Sequence, residues 1–224
     1  NGLGSNYVTG YLSWLKNFVT FNWPNSIKGS REVWPELKDA MANSARLGFA
    51  ATTVGVSIGL TIGIFAALRP GGKRDVAVNT AAFVGISIPP YISAILLQLL
   101  FAVYWSKWFG NTLFPTSGVY PPGQDGFDLV LMIKHMMLPT VVVAIQIIAV
   151  YSRYMRSSLL DVLNSDYMRT ARSKGLSEFR ILMRHGVRNA LSPVITIAAL
   201  DIGAIVGGLI ITENIFDYPG TGKY

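Results

Sequence analysis

Two charge-free stretches constrain this chain more than any other feature: neither Leu47–Leu68 nor Val76–Ser106 contains an Asp, Glu, Lys or Arg. Apolar runs of about 18 residues or more read as membrane-crossing helices, because a bilayer core of about 30 Å needs about 20 helical residues. Only 14% of the 224 residues are charged and 51% are hydrophobic. A soluble enzyme and a disordered chain are therefore both excluded. There is no cysteine, which removes a disulfide scaffold, a thiolate nucleophile and Cys-ligated zinc or iron–sulfur chemistry.

The expected fold is all-α, a polytopic membrane helical bundle. Four spans are visible: Ser44–Leu68, Val76–Trp105, Met136–Tyr151 and Leu191–Thr212. The second is too long for one straight helix and contains Pro89-Pro90. Proline removes a backbone donor and clashes with the preceding turn, which predicts a break there. In lipid, the freed carbonyls need partners from neighbouring helices or a wet cavity.

Basic residues orient the bundle. Arg69, Lys73 and Arg74 lie in one loop, and eight basic residues against three acidic ones lie between Ser152 and Ala190. The positive-inside rule puts both loops in the cytoplasm and the intervening segments outside. The net charge of +7 thus reads as topology, and no nucleic-acid partner is expected. We expect residues 1–43 to be extracytoplasmic, the membrane domain to cover 44–224, and its cytoplasmic segment to cover 152–190. The outside N-terminus suggests that a membrane helix precedes this chain, and the end at Tyr224 suggests that one follows.

Gly55, Gly59 and Gly63 share one face of the first span, and Gly203 and Gly207, with Gly208 beside them, do so in the fourth. Such spacing favours close helix packing; lining a substrate path is the other reading for the fourth-span glycines. Asp201 sits mid-span, where a carboxylate costs about 2.5–3.5 kcal/mol to insert, so it needs a cavity or a partner. It is read either as a wall of a translocation path or as a helix-to-helix bond to a polar residue such as Gln146 or Gln98, or to a partner subunit.

The loop 152–190 looks ordered. Ser165 and Asp166 can cap a helix over Tyr167–Lys174, and Gly175 suits a left-handed C′ position. Ser177 can cap a second helix, on which Arg180, Arg184 and Arg188 recur at four-residue steps beside Ile181, Leu182 and Val187. A basic interfacial helix on anionic lipid and a protein-docking element are equally open on these grounds.

The residues Asp166-Tyr167-Met168-Arg169-Thr170-Ala171-Arg172-Ser173-Lys174-Gly175-Leu176-Ser177, continuing to Arg184–Pro193, resemble the cytoplasmic "EAA" loop of ABC importer permeases. More narrowly they resemble the oligopeptide/dipeptide (and nickel) branch, B-type subunit. Ser87-Ile88-Pro89-Pro90, Leu113-Phe114-Pro115, Tyr151–Arg156, Gly207-Gly208, Glu213-Asn214-Ile215-Phe216 and Pro219-Gly220-Thr221-Gly222 extend the likeness, as do Tyr11, Leu12, Trp14 and Leu15. Arg169-Thr170-Ala171 stands where the broad family has Glu-Ala-Ala, and Arg188 where sugar-type permeases have proline; both look like the peptide branch.

The resemblance implies a type I permease fold in a bacterial or archaeal plasma (inner) membrane. It implies a chain that does no chemistry itself and forms half of a peptide path. Expected partners are a second, C-type permease subunit, two ABC ATPase subunits and an extracytoplasmic substrate-binding protein. ATP and Mg belong to the ATPases, and no cofactor or metal is expected here. Asp166, Tyr167, Arg169, Thr170, Ala171, Arg172, Lys174 and Gly175 would contact the ATPase. Asp201, Ser87, Pro89, Pro90 and Gln146 would line the path.

Other readings are weaker. Gly222-Lys223 is followed by Tyr224, where a phosphate-binding loop needs Ser or Thr. Gly85-Ile86-Ser87 has no base beside it, and His135 and His185 are too far apart to hold a metal. A secondary transporter using Asp201 as an ion relay and a non-transporting structural subunit are the alternatives in other classes.

Overall fold

The computed structural model describes residues 7–26, 32–120, 128–206 and 209–223. Every regular element among them is helical: α1 (Tyr7–Val19), α2 (Val33–Ala67), α3 (Lys73–Ser87), α4 (Pro90–Phe109), α5 (Leu129–Leu163), α6 (Asp166–Ser173), α7 (residues 178–206) and α8 (Ile210–Ile215). Three of them, α2, α4 and α5, are long and apolar enough to cross a membrane.

The expected span boundaries are too narrow for α2 and α5. Each is 35 residues, about 52 Å at 1.5 Å per residue, so both continue well beyond the hydrocarbon. α5 absorbs Pro139 without ending. The second expected span is two helices: α3 stops at Ser87, Ile88 is extended (φ −83°, ψ 115°), and Pro90 opens α4. The fourth falls on α7, and Gly207 and Gly208 lie outside the described residues.

α2 and α5 form the central pair. A Cβ on Gly55 would lie 2.7 Å from Ile147, one on Gly59 3.0 Å from Tyr151, and one on Gly63 2.5 Å from the Ser152 carbonyl. The glycine face of α2 therefore exists to let α5 approach, as small-residue spacing predicts. Among the described residues, nothing lies within 4 Å of a Cβ on Gly203.

Two buried clusters fill the bundle. Tyr151, Met155 and Leu159 of α5 meet Val187, Ala190 and Val194 of α7 at the end that carries α6. Leu47, Ala94, Leu138 and Val142 meet Phe216 and Tyr218 toward the opposite, far end. α7 is π-helical over Leu182–Val187, where a regular amphipathic α-helix was expected. The wider turn keeps Ile181, five residues before Gly186, on the same buried side. Gly186 lies there because its position faces Leu159 and Met168.

Candidate functional site

α6 is short, yet its seat is firm. Met168 and Ala171, three residues apart, turn the same way and are buried with Ile181, with Val162, Leu163 and Leu176 packed around them. Full burial of a methionine side chain is worth about 1.5–3 kcal/mol, enough to hold a helix too short to be stable by itself. Ser165 occupies the extended N-cap position, but its hydroxyl donates back to the Val162 carbonyl and caps no α6 N–H. The side-chain cap expected at Ser165 is therefore absent, as it is at Ser177.

Gly175 ends the helix at φ +73°, the left-handed conformation expected of it. Its N–H donates to the Arg172 carbonyl at 3.0 Å. Across this turn Arg172 Nε stands 3.4 Å from Glu178 Oε1, and Asn189 Nδ2 donates to the Tyr167 hydroxyl at 3.3 Å. α6 is thus tied to α7 on both sides of the glycine. Its outer face presents Asp166, Tyr167, Arg169, Thr170, Lys174 and Gly175 to solvent. Asp166 and Arg169 are a loose i,i+3 pair at 3.8 Å, which leaves both heads available. Ala171 belongs to the seat and not to that face.

Within the membrane Gln146, Gln98 and Asp201 find partners, whereas Thr52 Oγ1 is buried with none among the described residues. Gln146 Nε2 donates to the carbonyls of Gly85 (2.9 Å) and Ile88 (3.1 Å). Pro89 leaves the Gly85 carbonyl without its helical donor, the extended Ile88 leaves its own carbonyl outside both helices, and one α5 side chain serves the two. Ser87, beside the break, is exposed and donates to the Phe83 carbonyl at 2.7 Å; Pro89 is exposed and Pro90 half-buried. Asp201 Oδ2 accepts from the Tyr151 hydroxyl at 2.6 Å. The intrachain partner of Asp201 is therefore neither Gln146 nor Gln98, since Gln98 Nε2 donates to the Ile215 carbonyl at 3.2 Å.

Two further constellations escaped the sequence reading. Asp75 opens α3 and is buried, with 4% of its side chain exposed. Arg156 of α5 grips it through Nε and, at 2.7 Å, through Nη2. Gly71 N and Asn79 Nδ2 complete the set at 2.8 Å each. The Arg156 guanidinium holds the Asp75 carboxyl at about 2, against an ordinary 3.8, overcoming the opposing effect of burial. The Arg153 guanidinium lies 4.4 Å from the centre of the Phe83 ring, adding a cation–π contact between the same helices. The available signal was that Asp75 is the lone acid in a loop of three basic residues.

At the far end, Glu213 is fully buried. Its Oε1 accepts from Ser44 Oγ (2.6 Å) and Leu209 N (3.2 Å), and Oε2 from Gly222 N (2.6 Å). Thr221 N donates to Ser44 Oγ, and Asn43 Nδ2 to the Pro219 carbonyl. A Cβ on Gly220 would lie 2.4 Å from the Glu213 carboxyl carbon, which explains a glycine there. The carboxylate is the hub that folds residues 209–223 over the head of α2.

Comparison with known proteins gives these features a context. The sequence profile described as "Binding-protein-dependent transport system inner membrane component" matches residues 59–224. The chain is 38% identical over 223 residues to the oligopeptide transport system permease protein AppB of Bacillus subtilis (strain 168), covering 99% of this chain and 68% of that one. It is 40% identical over 215 residues to the dipeptide transport system permease protein DppB of the same organism, covering 96% and 64%. Against the dipeptide transport system permease protein DppB of Escherichia coli (strain K12) the figures are 32% identity, 96% and 67%. The chain thus spans about two thirds of the length of these relatives. Among solved structures, an amino acid ABC transporter crystallised with histidines superposes with a TM-score of 0.57 at 15% identity, over 95% of this chain and 78% of that one; this likeness concerns the fold.

Proposed function

This chain belongs to the family of binding-protein-dependent transport system inner membrane components, multi-pass membrane proteins with the type I permease fold, and from that premise we propose that it forms half of the translocation path of an ATP-driven peptide importer. The dipeptide and oligopeptide permeases it is similar to support the substrate class. The partners are a C-type permease, two ABC ATPases that hold ATP and Mg, and an extracytoplasmic binding protein. The chain itself catalyses nothing and carries no cofactor, and its N-terminal segment lies outside.

One observation carries the reading: α6 presents a polar, exposed face while its other face is locked to α5 and α7. A force applied to Asp166, Tyr167, Arg169, Thr170, Lys174 or Gly175 passes through Met168 and Ala171 into two long helices. Arg172, paired with Glu178, keeps the turn stiff. A docked ATPase would thereby move α5 and α7 as it closes on ATP, opening the path by rocking of the bundle. Asp201, Ser87, Pro89, Pro90 and Gln146 are the proposed lining. Asp201 would meet a peptide amine, and the break at Pro89 exposes polar backbone, which membranes tolerate where a cavity is lined.

The test uses the full importer reconstituted with its binding protein. Gly175→Val puts a β-branched side chain at φ +73° and should abolish substrate-stimulated ATP hydrolysis while the permease still inserts and co-purifies with its C-type partner. Undiminished stimulation would remove the docking role of α6.

A further inference from the structure

By composition, the basic helix that opens α7 suits anionic lipid and a protein partner equally well; its register against α5 separates the two. Ile181 is packed with Val162 and Leu163. A Cβ on Gly186 would lie 3.4 Å from Leu159 Cδ1, and Ser158 Oγ donates to the Ala190 carbonyl at 2.8 Å. These contacts run antiparallel, so the first turns of α7 stand beside the end of α5 and do not lie along the membrane plane. The charge-free run of α5 ends at Ser152, and Val162 is ten residues further on, past Arg153, Arg156 and Asp161. That is about 15 Å at 1.5 Å per residue. On α7, Arg180, Arg184, His185 and Arg188 separate Phe179 from Leu191, twelve residues and about 18 Å away. The headgroup layer outside the hydrocarbon is only about 5–8 Å thick. The first turns of α7 are therefore past it, in water.

Two large apolar side chains stand in that water. Phe179 is 74% exposed and Met183, four residues on, 45%. They adjoin the outer face of α6, because Glu178, next to Phe179, meets Arg172 across the Gly175 turn at 3.4 Å. That face offers one ring, Tyr167, and its hydroxyl is held by Asn189. It lacks the large apolar anchor that supplies most of the binding energy in a protein interface. With Arg172 and Glu178 set against each other, Arg169, Lys174, Arg180 and Arg184 face only Asp166 as an acid between residues 165 and 185. An occupant that fits this surface has an apolar socket with an acidic rim.

We propose that Phe179, supported by Met183, is the apolar anchor by which this chain holds the ABC ATPase subunit, entering such a socket beside α6. The inference rests on the docking role of α6 and extends that contact across the glycine turn onto α7.

The chain has no cysteine, so a nitroxide at Phe179→Cys can be the single label in the permease pair in nanodiscs, with any cysteine elsewhere replaced. Without ATPase subunits a water-soluble nickel chelate should relax the label freely, and saturating ATPase subunits should cut that access several-fold. Equal access with and without them overturns the proposal. So does shielding from nickel with strong relaxation by oxygen before any ATPase is added, which places Phe179 in lipid. Separately, Phe179→Ala should weaken binding of the ATPase subunits to the unlabelled permease pair by about tenfold or more, and Phe179→Leu should recover most of the loss. Binding by Phe179→Ala within about twofold of wild type removes the anchor but leaves the α6 contact standing, provided Gly175→Val still uncouples ATP hydrolysis. If the wild-type pair binds no ATPase, the α6 reading falls and the anchor falls with it. Should Phe179→Ala fail to insert, the label at position 179 decides.

Discussion

Replacing Asp75 should loosen α3 from α5 more than any surface substitution in the bundle. The carboxylate accepts from Arg156 Nε and Nη2, Gly71 N and Asn79 Nδ2. Asp75→Ala deletes all four bonds and leaves Arg156 facing an apolar void. Removing one partner of a buried pair costs about 3–5 kcal/mol. The Arg156 side chain is 25% exposed and can recover part of its hydration, so about 2–4 kcal/mol is expected here. Asp75→Asn retains one acceptor oxygen and should cost less than Asp75→Ala. The assay is reversible unfolding of the full permease in mixed micelles, run as a double-mutant cycle with Arg156→Gln. The two substitutions should couple by about 1–3 kcal/mol. Acid adds an independent test of sign. The folded carboxyl sits at about 2 against an ordinary 3.8, so the stabilisation is fully present above pH 3.8 and is lost as pH falls toward 2. The Asp75→Ala variant should lack that acid-sensitive component. Additive energies within about 0.5 kcal/mol, or an unchanged acid profile, would refute the reasoning.

Gly63→Ala should destabilise by about 1–3 kcal/mol, because its Cβ would sit 2.5 Å from the Ser152 carbonyl, whereas Gly85→Ala, 3.4 Å from Ala149 Cβ, should be nearly neutral in the same unfolding assay. Gln146→Leu strands the Gly85 and Ile88 carbonyls and should cost about 2 kcal/mol or more. Asp201→Asn should impair uptake of peptides with a free amine more than of N-blocked ones; equal uptake would leave the carboxylate only its bond to Tyr151.

Much of the architecture was legible before any coordinates, for reasons that differ by element. The break between α3 and α4 follows the consecutive Pro89-Pro90, two missing N–H groups in a row with Ile88 held extended before them, whereas the single prolines Pro139 and Pro193 are absorbed within helices. The α2–α5 contact was written in Gly55, Gly59 and Gly63. The far ends of α2 and α5 were not legible, because hydropathy reports the lipid boundary while these helices continue into contacts with residues 209–223. Within α6, spacing placed Gly175 correctly but could not assign Ala171 to the seat, which depends on Ile181 beyond the turn. The Asp75–Arg156 pair joins residues 81 positions apart, and Tyr151–Asp201 joins residues 50 apart. Local pattern carries no information on such distances.

The interruption at Ile88 has a mechanical consequence. α3 is clamped to α5 through Asp75 and Phe83, while α4 is hitched through Gln98 to the carbonyl of Ile215. A continuous rod would force both ends of this crossing to swing together about one fulcrum. Divided as it is, the crossing is two levers sharing a joint, and Gln146 is the pin. One end can be displaced while the other stays anchored, so long as a single side chain keeps hold of two carbonyls.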